Sequence, residues 1–221
     1  MPPILTMGTG MDALAHSMGS YLLTMSTDFT DMANVKAIDM IIKYLPRSVK
    51  RGHDMEAREK MQMAAFIAGV GFGNISGGVE HSLGHAFGAI FHTHHGMDVG
   101  VYLPAAIAYL SKVTNRIYDI ARIWGIKTEN REKHEIVREQ LEKLLDFMKL
   151  IGCPLSIGDI EEPKKITREE YNANMDQMID FAFNDYCTLS ATRKVNPPEI
   201  RLMMDIAYEN KIDDLMKLYY R

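Results

Sequence analysis

The sequence predicts an all-α fold, a helical bundle of roughly eight to ten helices. Three observations carry this. Apolar residues recur at helical spacing along almost the whole chain, no run alternates as a half-buried strand does, and capping residues and prolines punctuate the periodic segments. The first helix is expected from Asp12 to about Thr24, with Thr6 or Thr9 as caps and Leu14, Met18, Tyr21 and Leu22 along one side. Asp31 to Leu45 follows, with Val35, Ile38, Ile41 and Ile42 as its apolar positions and Pro46 as its stop. Asp54 caps a third helix running through Phe72, and Gly78 to about Phe91 forms a fourth. A fifth begins beyond Gly96 and carries Pro104, so the apolar run Val99–Leu103 reads as buried helix rather than strand.

Asn115 to Trp124 is short and ends at Gly125. Glu129 to Ile151 is long and amphipathic, with Val137, Leu141, Leu144, Leu145 and Met148 as its apolar face, and Gly152-Cys153-Pro154 breaks it. Thr167-x-x-Glu170 is a capping box opening a helix through about Phe183. Pro197-Pro198 opens another through Tyr208, and Asp213 to Tyr219 forms a last short one. The longest connection, Gly152 to Ile166, is too poor in polar and flexible residues to join two domains, so residues 1–221 read as a single helical domain.

Composition narrows the class. A net charge of −4 offers no general attraction to nucleic acid or an anionic membrane, and no basic stripe carries interleaved aromatics. No apolar run is long enough for a membrane span, and no secretory signal pattern opens the chain. The two cysteines, Cys153 and Cys187, form no C-x-x-C and no disulfide framework, which suits a reducing cytoplasm. The 17 methionines fall mostly at buried helical positions and serve as flexible core filler.

The histidines carry the chemistry. Five of the eight lie between Val79 and Gly96. His81 and His85 are four apart and share a helix face, and Asp12 and His16 repeat that spacing near the start of the chain. Two such helices side by side could present three or four ligand atoms to one point, and His95 could close the shell from a turn. Taken alone, a His-x3-His pair also fits one packed and one solvated imidazole; with Asp12, His16 and His95 added, a divalent metal centre is the favoured reading. His53-Asp54 has the form of the H-D pair of metal phosphohydrolases, but Asp54 is more simply a helix cap. His92 and His94 are unassigned.

G-M-D-A-L-A-H at Gly10–His16 and H-S-L-G-H-A-F-G-A-I-F-H-T-H-H-G at His81–Gly96 resemble the iron-containing alcohol dehydrogenase family. The resemblance extends over essentially the whole chain. Ala57–Met61 through Asn74 resembles the helix before the family's histidine cluster, Gly96–Pro104 the stretch after it, and Asn196-Pro197-Pro198 its late N-P segment. It implies Asp12, His16, His81 and His95 as ligands of Fe2+ or Zn2+, with His85 beside the nicotinamide and reacting carbon as a proton relay without binding metal. It also implies NAD(P)-linked oxidoreduction of a small alcohol or aldehyde, with the metal as Lewis acid.

One departure is large. Family members carry an N-terminal α/β domain whose glycine-rich loop holds NAD(P), and no such loop after a strand is present here. Gly69-x-Gly71-x-Gly73 follows helical residues and so lacks the strand–turn–helix frame of a dinucleotide site; those glycines are expected to permit close helix packing or to end the helix. The expectation is the C-terminal, metal-binding half of a dehydrogenase, inactive alone. It would need a separate NAD(P)-binding domain or self-association to cover its cleft. The alternatives are a split-enzyme subunit, a non-catalytic metal-binding or interaction module and, less favoured, the phosphohydrolase.

Overall fold

A computed structural model describes all 221 residues. It holds eleven α-helices and no strand: α1 Pro3–Tyr21, α2 Asp28–Lys50, α3 Met55–Gly73, α4 Val79–Phe91, α5 His95–Ser111, α6 Ile117–Ile123, α7 Lys133–Ile151, α8 Arg168–Ala173, α9 Met175–Asn184, α10 Pro197–Ala207 and α11 Ile212–Tyr220. The count exceeds the expected eight to ten because the helix opened by the Thr167–Glu170 capping box breaks at Asn174 into α8 and α9.

The α5 helix explains the layering. Every residue from Gly96 to Ser111 is buried, because apart from Asp98 its sequence is predominantly apolar on every side and each side must meet protein. Helices α1, α4, α7, α10 and α11 pack around it, while α2 and α3 form an outer pair against α1. One cluster of 59 buried apolar residues spans these elements. The approach of α5 to α1 is tight: a Cβ on Gly96 would lie 2.0 Å from the Gly8 carbonyl oxygen. Only glycine at that position lets the first turn of α5 lie on α1, and this brings His95 beside Asp12.

Several helix ends differ from the sequence reading. The first helix begins at Pro3, so Thr6 and Thr9 are not caps; their hydroxyls donate back to the Pro2 and Leu5 carbonyls at 3.0 and 2.7 Å. The second begins at Asp28 with Thr27 as its cap and runs past Pro46 to Lys50. Proline removes one ladder bond, yet about five turns already formed and a buried face against α1 and α3 carry the helix through. The α7 helix starts at Lys133, where Glu132 and Glu135 form a capping box, rather than at Glu129. Asp54 caps α3 as expected, accepting from the Ala57 N–H at 3.0 Å. Within α3, Gly71 meets the buried Asn34 amide of α2, so this glycine serves close helix packing. No helix is long and apolar enough to cross a membrane.

Candidate metal centre

Helices α1, α4 and α5 bring Asp12, His16, His81 and His95 together. The Asp12 Oδ1 oxygen lies 3.4 Å from His16 Nε2, 3.5 Å from His81 Nε2 and 3.3 Å from His95 Nε2. A four-coordinate ion with bonds of 2.0–2.1 Å separates its donor atoms by about 3.3–3.4 Å, so this spacing suits such an ion. The donor atoms of Asp12, His81 and His95 all fall within 4.8 Å of one another, whereas His16 stands at the rim of that group. Its ring is stacked between Phe72, at 3.9 Å between centroids, and His81, at 4.2 Å.

Two atoms at the centre support the fit. Asp12 Oδ1 and His81 Nε2 are both buried without a hydrogen-bond partner. Buried polar atoms of this kind are rare in native proteins and often mark a place for an ion or water. One carboxylate oxygen with imidazole nitrogens is a donor set suited to Zn2+ or Fe2+.

The electrostatics follow from proximity. Burial works to raise the Asp12 pKa, but His16, His81 and His95 overcome it and hold the carboxylate well below its usual range. His81 shows the converse. Burial opposes its charge, yet Asp12 and Glu80 push its pKa up to about 9.

The sequence reading did not single out Glu80. It is wholly buried, and its Oε1 lies 2.9 Å from His81 Nδ1 and accepts the Gly78 N–H at 3.1 Å. With Nδ1–H donated to Glu80, His81 keeps its Nε2 lone pair for a metal, as ligating histidines usually do. The fit around this carboxylate is close: a Cβ on Gly19 of α1 would lie 2.1 Å from Glu80 Oε1. The available signal was a glutamate inside the apolar, glycine-rich run Ile75–Leu83, where a charge needs a partner.

His85 lies one turn beyond His81, its ring stacked on His95 at 5.3 Å. Its Nδ1 is 2.8 Å from Oδ2 of Asp185, a residue no local pattern had marked. His94 stands at the N-cap position of α5 with no side-chain cap bond, and its ring presses on Gly8. His92 ends α4 in a left-handed conformation and is exposed. His53 is exposed in the turn before α3, and Asp54 is engaged by its cap bond and by Arg47 at 2.9 Å, so the H-D pair gathers no further metal donors.

Comparison with known proteins identifies the family. The sequence profile of the Fe-containing alcohol dehydrogenase family, C-terminal, matches residues 6–208. The NADPH-dependent butanol dehydrogenase of Clostridium saccharobutylicum is 34% identical over 209 residues, covering 94% of this chain and 52% of that protein. Lactaldehyde reductase of Escherichia coli (strain K12) is 30% identical over 221 residues, covering 100% of this chain and 51% of the enzyme. The chain therefore spans about half the length of the curated relatives it matches. Among solved structures, an alcohol dehydrogenase from Oenococcus oeni superposes with a TM-score of 0.85 at 28% identity, covering 94% of this chain and 52% of that one. A 1,3-propanediol oxidoreductase also gives 0.85 at 28% identity, covering 94% of this chain and 53% of its own. A shared fold and a family match along nearly all its residues make this chain a member of the Fe-containing alcohol dehydrogenase family, corresponding to the helical C-terminal domain.

Proposed function

We propose that residues 1–221 form the metal-holding half of an alcohol dehydrogenase, acting on a small alcohol or aldehyde when an NAD(P)-binding half is supplied. The observation that carries this is the convergence of three imidazole Nε2 atoms on one buried oxygen of Asp12, at 3.3–3.5 Å. Asp12, His16, His81 and His95 would hold the divalent cation, Fe2+ or Zn2+, which supplies Lewis acidity to an alcohol or carbonyl oxygen. Asp12 provides the negative charge of the donor set. Glu80 orients His81. His85, about two-fifths exposed, would accept or return the hydroxyl proton and lie against the nicotinamide.

Orientation of the nicotinamide must come from the other half, either a separate polypeptide or further sequence, and the isolated chain is expected to be inactive. Both cysteines are unpaired and buried, which supports a reducing compartment such as the cytoplasm.

Metal stoichiometry tests the ligand assignment. Protein loaded anaerobically with Fe2+, or with Zn2+, should retain about one ion per chain. Asp12→Ala and His81→Ala should lose it, while His53→Ala should keep it. Retention by both Asp12→Ala and His81→Ala refutes the centre. Tight, metal-independent NADH binding by this chain alone refutes the half-enzyme reading. So does a failure to restore alcohol oxidation when a nucleotide-binding domain of the family is added to a chain that does hold metal.

A further inference from the structure

His85 is joined to the far end of the sequence by a carboxylate. Asp185 follows the last turn of α9, and its two oxygens divide their work. Oδ2 lies 2.8 Å from His85 Nδ1, while Oδ1 accepts the Cys187 N–H at 2.8 Å and faces the Ser82 hydroxyl at 3.4 Å. The segment is pinned a second time, because the Thr188 hydroxyl lies 2.8 Å from Ser82 Oγ and 2.7 Å from the Ala182 carbonyl. Asp185 is mostly buried, at 16% exposure, so little water competes for its oxygens. The Cys187 and His85 hydrogen bonds outweigh its burial and hold its pKa below the usual value.

An ionised carboxylate can only accept, so the proton of this bond sits on His85 Nδ1. In the neutral ring Nε2, on the opposite edge, is then a bare lone pair. Neutral imidazole in water prefers the reverse arrangement, with the proton on Nε2. The carboxylate therefore selects the minor tautomer and fixes the plane of the ring through a short, charge-assisted bond.

We infer that Asp185 is a positioning residue that locks His85 in the Nδ1–H tautomer, leaving Nε2 as an open acceptor for a hydroxyl proton beside the metal-binding residues. The use of that acceptor rests on the reading of His85 given under Proposed function; the tautomer itself does not. A structural cap alone would need only the Asp185 Oδ1 bond to Cys187. The second oxygen, aimed at His85, is what the cap does not explain.

Imidazole nitrogen shifts test this directly. The full chain, labelled with 15N and loaded with diamagnetic Zn2+, is measured at pH 8, with His85 assigned from the spectrum of His85→Gln. The wild-type protein should show a protonated Nδ1 and a bare Nε2 at His85. Asp185→Ala should shift His85 toward the Nε2–H form without moving the shifts of His53 and His134. Asp185→Asn keeps an oxygen for the Cys187 N–H and turns its amide N–H toward His85, so it should invert the tautomer even if Asp185→Ala folds poorly. An Nε2–H form in the wild type, or an unchanged Nδ1–H form in Asp185→Asn, overturns the inference.

In a complete enzyme reconstituted with a nucleotide-binding half, kcat should fall at least about tenfold in Asp185→Asn with KM for the alcohol little changed. Asp185→Glu should recover part of that loss. Zinc stoichiometry on the same samples reports on the ligand assignment separately, so a failure of the metal reading is visible without altering the tautomer result.

Discussion

Removing the charge of Glu80 separates two contributions to metal affinity that act in opposite directions. In the metal-free protein, Asp12 and Glu80 overcome burial and push the His81 pKa up to about 9. His81 is 2% exposed, so this proton is shielded from bulk water. At pH 7 an incoming cation must displace it, at a cost of about 2.7 kcal/mol, or two decades of affinity. Glu80 contributes to that penalty. It also strengthens His81 as a ligand by accepting its Nδ1–H at 2.9 Å, and loss of such a partner typically weakens metal affinity 10- to 100-fold, about 1.4–2.8 kcal/mol.

In Glu80→Gln the proton penalty falls along with the ligand strength. The defect should therefore be small near pH 7 and should widen to about 10- to 100-fold above pH 9, where no proton remains to be displaced. Wild-type affinity should climb by about one decade per pH unit between pH 7 and 9, then level off. Competition against a chelator of known zinc affinity, from pH 6 to 9.5, measures both curves. A wild-type affinity that is flat from pH 7 to 9, or a Glu80→Gln defect that narrows as pH rises, refutes the reasoning.

Other perturbations test the frame around the centre. Burial of Asp98, at 1% exposure, pushes its pKa up from 3.8 to about 7, so the folded metal-free protein binds more protons than the unfolded chain between those values. Its contribution to stability is greatest below pH 4 and is lost as pH rises toward 7, by about 4 kcal/mol at most. Asp98→Asn should remove that slope and be the more stable protein at pH 8 in urea melts; an unchanged slope refutes it. Gly96→Ala places a Cβ 2.0 Å from the Gly8 carbonyl and should cost about 3 kcal/mol or more, whereas Gly52→Ala, which meets nothing within 4 Å, should be near neutral. Equal melting temperatures for these two variants argue against the tight α1–α5 contact. Asn210→Ala removes bonds to the Val101 and Leu155 carbonyls at 2.7 and 2.9 Å, and its loss should cost about 2–4 kcal/mol by thermal denaturation.

The candidate ligands were legible in the sequence for a physical reason. Asp12–His16 and His81–His85 each follow the four-residue spacing that puts two side chains on one helix face, so residue type and local period mark these four, while the assignment of His95 as a ligand and the separate role of His85 came from the family resemblance. The carboxylates that tune these histidines obey no such rule. Glu80 is adjacent to His81 in sequence, but its contact with Gly19 depends on the packing of α1, and Asp185 reaches His85 from 100 residues away. A hydrogen-bond partner has only to arrive in space, and many backbone paths deliver it.

The misplaced helix ends have the same origin. Pro46 stops a helix by local rules, and only the packing of α2 on α1 and α3 carries the helix beyond it. Asn174 breaks α8 from α9 although no proline or glycine marks the place. What local chemistry could still have offered at the site was the anomaly of Glu80 itself. A glutamate between Val79 and His81, in a stretch otherwise committed to the core, must find a proton donor or lose its charge. The nearest group able to serve was the imidazole beside it. A buried acid next to a candidate ligand is therefore a pointer to a metal centre that a histidine on an exposed turn does not supply by itself, since His92 and His95 are both exposed and only His95 joins the candidate ligands.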